Sequence, residues 1–178
     1  RIQLMTYEAT GGIASGSFVR NTRRRLKVPV GDFLKGRIIN AMGRPIDGRN
    51  IFHANQYYTV NSPYTNPLDR PPIRDRLEFG IKAIDGLNTI GKGQRIGIFA
   101  GSGVGKSTLM GMIAKNVKTD INVIALVGER GREVLEFVQK DLGEEGMKRS
   151  VLVVATSDQP AMLRMKCPLV ATTIAEYF

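Results

Sequence analysis

The sequence stretch "IFAGSGVGKSTLM" at residues 98–110 has the form of a loop that holds phosphates. An apolar run precedes it, three glycines are spaced through it, and Lys106 and Ser107 open a stretch with helical apolar spacing. A P-loop needs this order, which is a strand, a flexible loop, and then Gly-Lys-Ser/Thr at the start of a helix. We therefore predict a nucleoside triphosphate site here, and a chance glycine turn is the less favoured interpretation.

The residue types of this loop suggest how each part binds phosphate. Glycine tolerates positive φ, so backbone N–H groups can turn inward around phosphate oxygens. Lys106 is expected to reach the β and γ phosphates, and the Ser107 hydroxyl to bind Mg²⁺. The strict pattern has glycine where this chain has Ala100. The loop therefore predicts a nucleoside triphosphate and Mg²⁺ as cofactors, and the family resemblance given below implies that the nucleotide is ATP. The predicted nucleotide-binding residues are Gly101, Ser102, Gly103, Val104, Gly105, Lys106, Ser107 and Thr108.

From about residue 75, apolar runs of strand length alternate with helical patterns. This alternation is typical of a parallel sheet covered by helices, so the predicted fold is α/β, a P-loop (RecA-like) sheet with helices on both faces. The middle helix is expected to bury a stripe made of Val134, Leu135, Val138 and Leu142, and to stop at Gly143. The predicted strands are 95–99, 121–127 and 151–158, and the predicted helices are 106–116, 132–143 and 161–177.

The first 74 residues do not show this alternation of strand and helix patterns. Residues 1–48 contain brief β-prone runs separated by turn formers, which predicts the end of a small N-terminal β-barrel. Residues 49–74 are predicted to be a proline-rich connector, extended and not helical, because four prolines lie within 61–72. Residues 75–178 then form the P-loop core.

The net charge of +10 is concentrated near the N-terminus, with a balance of +7 in residues 1–50. Its peak is "RNTRRRLK" at residues 20–27. This cluster is either a solvated strand edge or a contact surface for anionic lipid, nucleic acid or an acidic partner. No interleaved aromatics support nucleic-acid stacking. The single cysteine, Cys167, excludes an internal disulfide, and no apolar run approaches the roughly 18 residues of a membrane span.

The next chemical candidate is Glu129, which follows the predicted strand 121–127. Ligands of open α/β sheets lie at the carboxyl ends of the strands, where a carboxylate can orient or deprotonate an attacking water. The alternative is a glutamate stabilised at a helix N-terminus, and Glu133 fits that alternative well. The residues alone leave both interpretations of Glu129 open.

Several stretches resemble one family, the flagellar and type III secretion export ATPases, which are relatives of the catalytic subunit of rotary ATP synthases. "AGSGVGKS" and "ATSDQP" are the most specific of these stretches, and "NVIALVGERGREVLEF" and "ATTIAEYF" extend the resemblance over nearly the whole chain. The N-terminal "LKVPVGDFLKGRIINAMGRPIDG" resembles the segment that leads from the barrel into the ATPase core. The chain departs from the family at "CPLVATT", residues 167–173.

The resemblance implies roles for three residues. Glu129 matches the catalytic carboxylate, and Arg130 matches an arginine near the γ-phosphate, so the predicted catalytic set is Lys106, Glu129 and Arg130. Glu133 matches an acidic residue near the magnesium's water shell, which makes Ser107 and Glu133 the predicted metal residues.

The resemblance also implies partners and a location. We expect a homo-hexamer with ATP sites between subunits, contacts with export apparatus proteins, export substrates and chaperones, and no nucleic-acid partner. The expected location is cytoplasmic and peripheral, at the inner face of the cell membrane. An anionic membrane surface is a further candidate partner of the basic cluster.

The family's metal-binding aspartate, arginine finger and adenine-stacking aromatic have no good match in this sequence. Asp158 is a poor candidate for the aspartate, because three residues separate it from the apolar run. We therefore expect the chain to be a fragment that includes only the first half of the core and hydrolyses no ATP alone. Two other interpretations remain open, a catalytic subunit of a rotary ATP synthase and an RNA-binding motor of the Rho type.

Overall fold

A computed structural model describes residues 4–8, 10–61, 66–101 and 103–178. Five strands and five α-helices are assigned within these ranges, together with one π-helical segment and two short 3-10 turns, Asp32–Leu34 and Pro67–Asp69. The strands are β1 (Lys27–Pro29), β2 (Arg37–Asn40), β3 (Tyr57–Thr59), β4 (Asn122–Val127) and β5 (Ser150–Ala155). The helices are α1 (Lys82–Leu87), α2 (Lys106–Asn116), α3 (Gly131–Glu136), α4 (Gly143–Lys148) and α5 (Ala161–Tyr177), and the π-helical segment is Phe137–Leu142.

The central sheet has three parallel strands in the order β2-β5-β4. Ile38 lies opposite Leu152, and Ile124 lies opposite the same Leu152 from the other side. All six residues of β5 are buried, because this strand has a neighbour on each edge and side chains packed over each face. The parallel sheet predicted from the alternating pattern is therefore present.

Successive side chains of β5 point to opposite faces, and helices cover both. Val151 and Val153 pack with Cys167 of α5 on one face, in a core that also includes Val28 of β1 and Val60, the residue after β3. On the other face, the core of buried side chains is made of Ala114, Ile124, Phe137, Leu142, Leu152 and Val154. The prediction of helices on both faces is confirmed.

The predicted strand 95–99 is not formed, since no strand is assigned between α1 and α2 in the part of the chain described here. Phe99 is 98% exposed and Ile96 is 44% exposed. The apolar run is correct as a pattern, but a strand needs neighbours to pair with its N–H and C=O groups. None of the described strands pairs with it.

The N-terminal segment also differs from the expectation. β1 pairs with β3 in an antiparallel two-stranded sheet, and β3 lies in the stretch predicted to be a connector. β2 lies within residues 1–48 but belongs to the central sheet, where Ile39 lies opposite the buried Val153 of β5. A barrel is not confirmed by these strands.

Three smaller expectations need correction. The predicted helix 132–143 is divided into α3 and the π-helical segment, and this change of helix type alters which side chains are buried. Leu135 is 55% exposed, whereas Phe137 is only 4% exposed. Gly143 ends the π-helical segment with a φ of 63°, but α4 begins there. In the part of the connector that the structure describes, a 3-10 turn begins at Pro67, a position where proline is tolerated.

The remaining helix predictions, 106–116 and 161–177, are confirmed by α2 and α5. Pro160 lies at the N-cap of α5. None of the helices that the structure describes combines the length and the apolar character needed to span a bilayer.

Candidate functional site

The glycine loop ends in a left-handed turn that starts α2. Gly103 has a φ of 75° and Gly105 a φ of 94°, a region that residues with a Cβ rarely adopt. A Cβ placed at Gly101, Gly103 or Gly105 would meet no atom within 4 Å, so the loop borders open space. Ser102 lies outside the described residues.

The N-terminus of α2 is free to receive an anion. Gly105 provides no side chain to cap it, and the first N–H groups of a helix have no partner within the helix. These groups and the helix dipole favour negative charge at this end. Lys106, Ser107 and Thr108 occupy the first turn and are exposed, so the loop and the helix start together fit a polyphosphate.

A cavity of about 520 Å³ lies between segment 95–100 and β4 and runs along α2 from Lys106 and Ser107 at its start to Ile113. Its polar lining is formed by Lys106, Ser107, Glu129 and Glu133. Its walls are apolar and include Ile96, Ile98, Met110, Ile113, Leu126 and Phe137. Four predicted site residues from two distant parts of the sequence therefore face one cavity.

Glu129 has an unusual environment for a carboxyl group. Burial raises its pKa, and a hydrogen bond to the Glu133 side chain raises it further, while the charge of Lys106 opposes both effects. The pKa of Glu133 is lowered, chiefly by a hydrogen bond from the Arg130 backbone N–H and then by the hydrogen bond with Glu129. Of the two carboxyl groups, Glu129 therefore has the raised pKa and Glu133 the lowered pKa.

Arg130 is placed differently from the other catalytic candidates. It is the N-cap residue of α3, its N–H donates to Glu133 Oε2 at 3.3 Å, and its Nη1 lies 4.0 Å from Glu133 Oε1. It does not line the cavity as described here. The structure brings Lys106, Ser107, Glu129 and Glu133 together around the cavity. Arg130 is not part of this lining, although it contacts Glu133.

The suggestion that Glu133 stabilises a helix start agrees with this geometry, because its carboxylate accepts the N-cap N–H of α3. The same carboxylate and the Ser107 hydroxyl border the cavity, and both are the hard oxygen ligands that Mg²⁺ prefers. Among the described residues, no group of three or more His, Cys, Asp or Glu side chains could hold a metal on its own. A metal here would therefore need oxygen ligands from elsewhere, including phosphates.

Asp158 is exposed and does not line this cavity, as far as the described residues define it. Its pKa is lowered by a hydrogen bond from Thr156. This placement agrees with the poor fit of Asp158 to a metal-binding aspartate.

Two features of the site were not predicted from the sequence, an aromatic part of the lining and a turn behind Glu129. Phe79, in the irregular segment before α1, and Phe137, in the π-helical segment, line the cavity. The turn that follows β5 contacts the backbone of Glu129, since the Ser157 N–H donates to the Glu129 carbonyl at 3.0 Å. Residues 155–160, "ATSDQP", were predicted as the end of a strand and as part of the family resemblance, although a turn after a buried strand could have suggested that they border the site.

Comparison with known proteins gives this geometry a family. The sequence pattern of the ATP synthase alpha/beta family, nucleotide-binding domain, matches residues 80–178. The chain belongs to this family. The matched range includes the loop, α2 and Glu129, so every residue of the cavity's polar lining lies within the nucleotide-binding domain of the family.

The chain is also similar in sequence to individual proteins. The chain is 58% identical to a flagellum-specific ATP synthase of Bacillus subtilis over 99% of its own length, and 48% identical to an SPI-2 type 3 secretion system ATPase of Salmonella typhimurium over 98%. It spans 40% of the length of each. The expected resemblance to flagellar and type III secretion ATPases is confirmed.

A solved structure leads to the same relatives. The assembled ATPase EscN of the enteropathogenic E. coli type III secretion system superposes with a TM-score of 0.88 and 47% identity, covering 97% of this chain and 42% of EscN. Another structure has EscN in complex with its central stalk EscO, with a TM-score of 0.81. The fold described above is thus shared with a segment of EscN.

Proposed function

We propose that the chain binds ATP and carries part of the ATP-hydrolysing site of an export ATPase, which energises protein export through a flagellar or type III secretion apparatus. The observation that carries this proposal is the shared cavity of Lys106, Ser107 and Glu129. A cation and a hydroxyl at the end of a glycine loop, with a carboxyl group of raised pKa on the same cavity, match the needs of phosphoryl transfer, which depends mainly on positioning and electrostatics.

Each residue has a distinct task in this proposal. Lys106 and the first N–H groups of α2 bind the phosphates, and Glu129 orients or deprotonates the attacking water. Mg²⁺ bound with ATP would neutralise phosphate charge, and Ser107 directly and Glu133 through water are the residues that would hold it. Arg130 stabilises charge at the γ-phosphate after leaving its contact with Glu133.

We further propose that the protein works as a homo-hexamer with ATP sites between subunits. It would act at the cytoplasmic side of the membrane, together with export apparatus proteins, export substrates and chaperones. The names of the relatives support this setting. EscN is described as assembled and in complex with a central stalk, and the bacillary relative is named as flagellum-specific.

The test uses the full-length product of the gene and two pairs of variants. Lys106→Ala is expected to abolish ATP binding in calorimetry, whereas Lys115→Ala, the same change further along α2, is expected to preserve it. Glu129→Gln should retain ATP binding and lose about 10²–10⁴-fold in hydrolysis, the usual contribution of a general base. Glu136→Gln on the exposed side of α3 is its matched control.

Unchanged ATP affinity in Lys106→Ala would refute the phosphate-binding assignment. Near-normal hydrolysis in Glu129→Gln would refute the catalytic assignment alone. Binding without hydrolysis in the wild-type protein would reduce the proposal to a nucleotide-binding module.

The basic cluster supports a second contact, with an anionic membrane surface. Residues 20–25 are all exposed, and four of them are arginines. Reversal of Arg23, Arg24 and Arg25 to Glu is expected to weaken salt-sensitive binding to phosphatidylglycerol vesicles, by about 1 kcal/mol for each charge removed. The control reverses three exposed cations elsewhere, Arg70, Arg74 and Lys92. Equal binding by both triple variants would contradict a specific role for the cluster.

A further inference from the structure

The backbone around Glu129 is held by the chain that follows β5. The Gly128 N–H donates to the Ala155 carbonyl at 2.7 Å, and the Ser157 N–H donates to the Glu129 carbonyl at 3.0 Å. These two bonds continue the ladder between β4 and β5 past the end of both strands. The peptide that carries the catalytic candidate is therefore clamped by its neighbour in the sheet.

This clamp lies at a point where the strand geometry has already ended. Gly128 has a φ of 75°, which turns the chain out of the extended conformation before Glu129. After such a kink the chain no longer follows the neighbouring strand, so its backbone groups lose the regular hydrogen bonds of the sheet. The bond from Ser157 reattaches it after the kink, and the Glu129 side chain then lines the cavity with Lys106.

The turn that supplies this bond is itself held on both sides. The Gln159 N–H donates to the Thr156 carbonyl at 3.1 Å, and the Thr156 side chain hydrogen-bonds to Asp158. Before the turn lies the fully buried β5, and after it α5 begins at Ala161. Turn 156–159 is therefore fixed to the most buried strand of the sheet and to the helix packed on it.

We propose that Ser157 is a positioning residue for ATP hydrolysis, acting through its backbone N–H, which holds the Glu129 peptide so that the carboxyl group stays at the cavity. This inference rests on the proposed function, because it needs Glu129 to act on the attacking water. The exposed Ser157 side chain takes no part in the bond. Thr156 and Asp158 support the turn that presents the N–H.

The direct test removes the N–H and leaves the rest of the site intact. In the full-length gene product, Ser157→Pro is expected to lower kcat about 10²-fold, the cost of misplacing a catalytic group by an ångström or so. KM for ATP and the calorimetric ATP affinity are expected to stay near wild type, because the phosphate loop is untouched. Ser157→Ala retains the N–H, and as the conservative variant it should restore kcat to within about twofold.

A milder variant covers the case in which Ser157→Pro fails to fold. Thr156→Val removes the hydroxyl that bonds to Asp158 and preserves the shape of the side chain, and it is expected to lower kcat about fivefold with KM unchanged. Thr156→Ser should restore the rate. Thr172→Val removes a hydroxyl that bonds a helix carbonyl in α5 at 2.9 Å and is the matched control, with unchanged rate.

Three outcomes overturn the proposal. They are a folded Ser157→Pro variant with wild-type kcat, a loss that appears equally in Ser157→Ala, and a loss that appears in KM rather than kcat. Glu129→Gln is assayed in parallel to separate the two levels of inference. If Glu129→Gln hydrolyses ATP normally, the catalytic role of Glu129 fails; if it is inactive while Ser157→Pro is active, only the positioning role fails.

Discussion

Two apolar stretches of equal length differ in this molecule, since one is a buried strand and the other forms no strand. Residues 150–155, "SVLVVA", form β5, in which every residue is buried. Residues 95–100, "RIGIFA", form no strand, and Phe99 is almost fully exposed. Both stretches are short apolar runs of strand length, so the apolar pattern alone does not separate them.

The difference lies in what surrounds each stretch. β5 pairs with β4 along its whole length and with β2 over Val151–Val154, and it is covered by helices on both faces. Segment 95–100 has no assigned ladder with any described strand, and its Ile96 and Ile98 line a cavity that β4 borders from the other side. An apolar run becomes a buried strand only when other parts of the chain supply partners for its backbone and side chains.

The largest effect that tests this comparison is amide hydrogen exchange. The β5 amides are expected to exchange only through global unfolding, with an opening free energy of about 5–15 kcal/mol for a typical domain. Amides of 95–100 are expected near 0 kcal/mol, close to the rates of an unstructured peptide. Mass spectrometry of peptides covering both stretches measures the contrast. Similar protection in the two stretches would contradict the difference in pairing.

The second test compares one truncation in each stretch. Leu152→Ala removes a side chain with 0% exposure and is expected to lower the free energy of unfolding by about 2–5 kcal/mol. Phe99→Ala removes a larger side chain but is expected to change it by less than about 0.5 kcal/mol, because that ring is already in solvent. Urea unfolding followed by circular dichroism gives both values, and Leu87→Ala, at 85% exposure, is the matched leucine control. Comparable losses for Leu152 and Phe99 would mean that segment 95–100 is packed.

The third test concerns α2, which follows the unpaired segment and packs against the π-helical segment. A Cβ at Gly111 would lie 2.7 Å from Asp141 Cβ and from its carbonyl oxygen. Gly111→Ala is therefore expected to cost about 1–3 kcal/mol of unfolding free energy through overpacking.

The matched control for that prediction is Gly86→Ala in α1, where a Cβ meets no atom within 4 Å. It is expected to leave stability unchanged or raise it by up to about 1 kcal/mol, because alanine favours the helix. If Gly111→Ala behaves like Gly86→Ala, α2 is not anchored at this crossing.

The smallest effect concerns the well-paired side of the sheet, where Arg37 at the start of β2 binds Asp47. Burial opposes ionisation of Asp47, but hydrogen bonds from the Arg37 guanidinium and from the Arg49 and Ile38 N–H groups outweigh it and lower the pKa from 3.8 to about 2. A lowered pKa stabilises the fold above pH 3.8, and this contribution is lost as the pH falls toward about 2.

Asp47→Asn is accordingly expected to cost about 1–2 kcal/mol at neutral pH, with a difference from wild type that shrinks as the pH falls through this window. Urea midpoints at several pH values measure it. Glu145→Gln, which breaks the exposed pair with Lys148, should produce no measurable change. A cost for Asp47→Asn that does not depend on pH would show that the charge of Asp47 is not what stabilises β2.

The site was predicted more completely than the sheet around it. Lys106, Ser107 and Glu129 could be proposed because each belongs to a local pattern whose chemistry depends on a few adjacent residues and on the end of a strand. The hydrogen bond between Ser157 and Glu129 could not, because it joins residues 28 positions apart and depends on the register of β4 against β5. The contact between Arg130 and Glu133 could not be predicted either, because it depends on side-chain geometry at the start of α3.

What the sequence by itself determined is therefore local: the glycine loop, the helix that follows it, the apolar strands β4 and β5, and the carboxylate after β4. Each of these depends on the period of apolar residues and on the conformational freedom of glycine, which adjacent residues express. Only the tertiary structure decided that β2 joins the central sheet, that β5 is its buried centre, and that 95–100 stays unpaired. Those outcomes depend on backbone pairing between distant segments, and a short apolar stretch carries no information about which partner it will have.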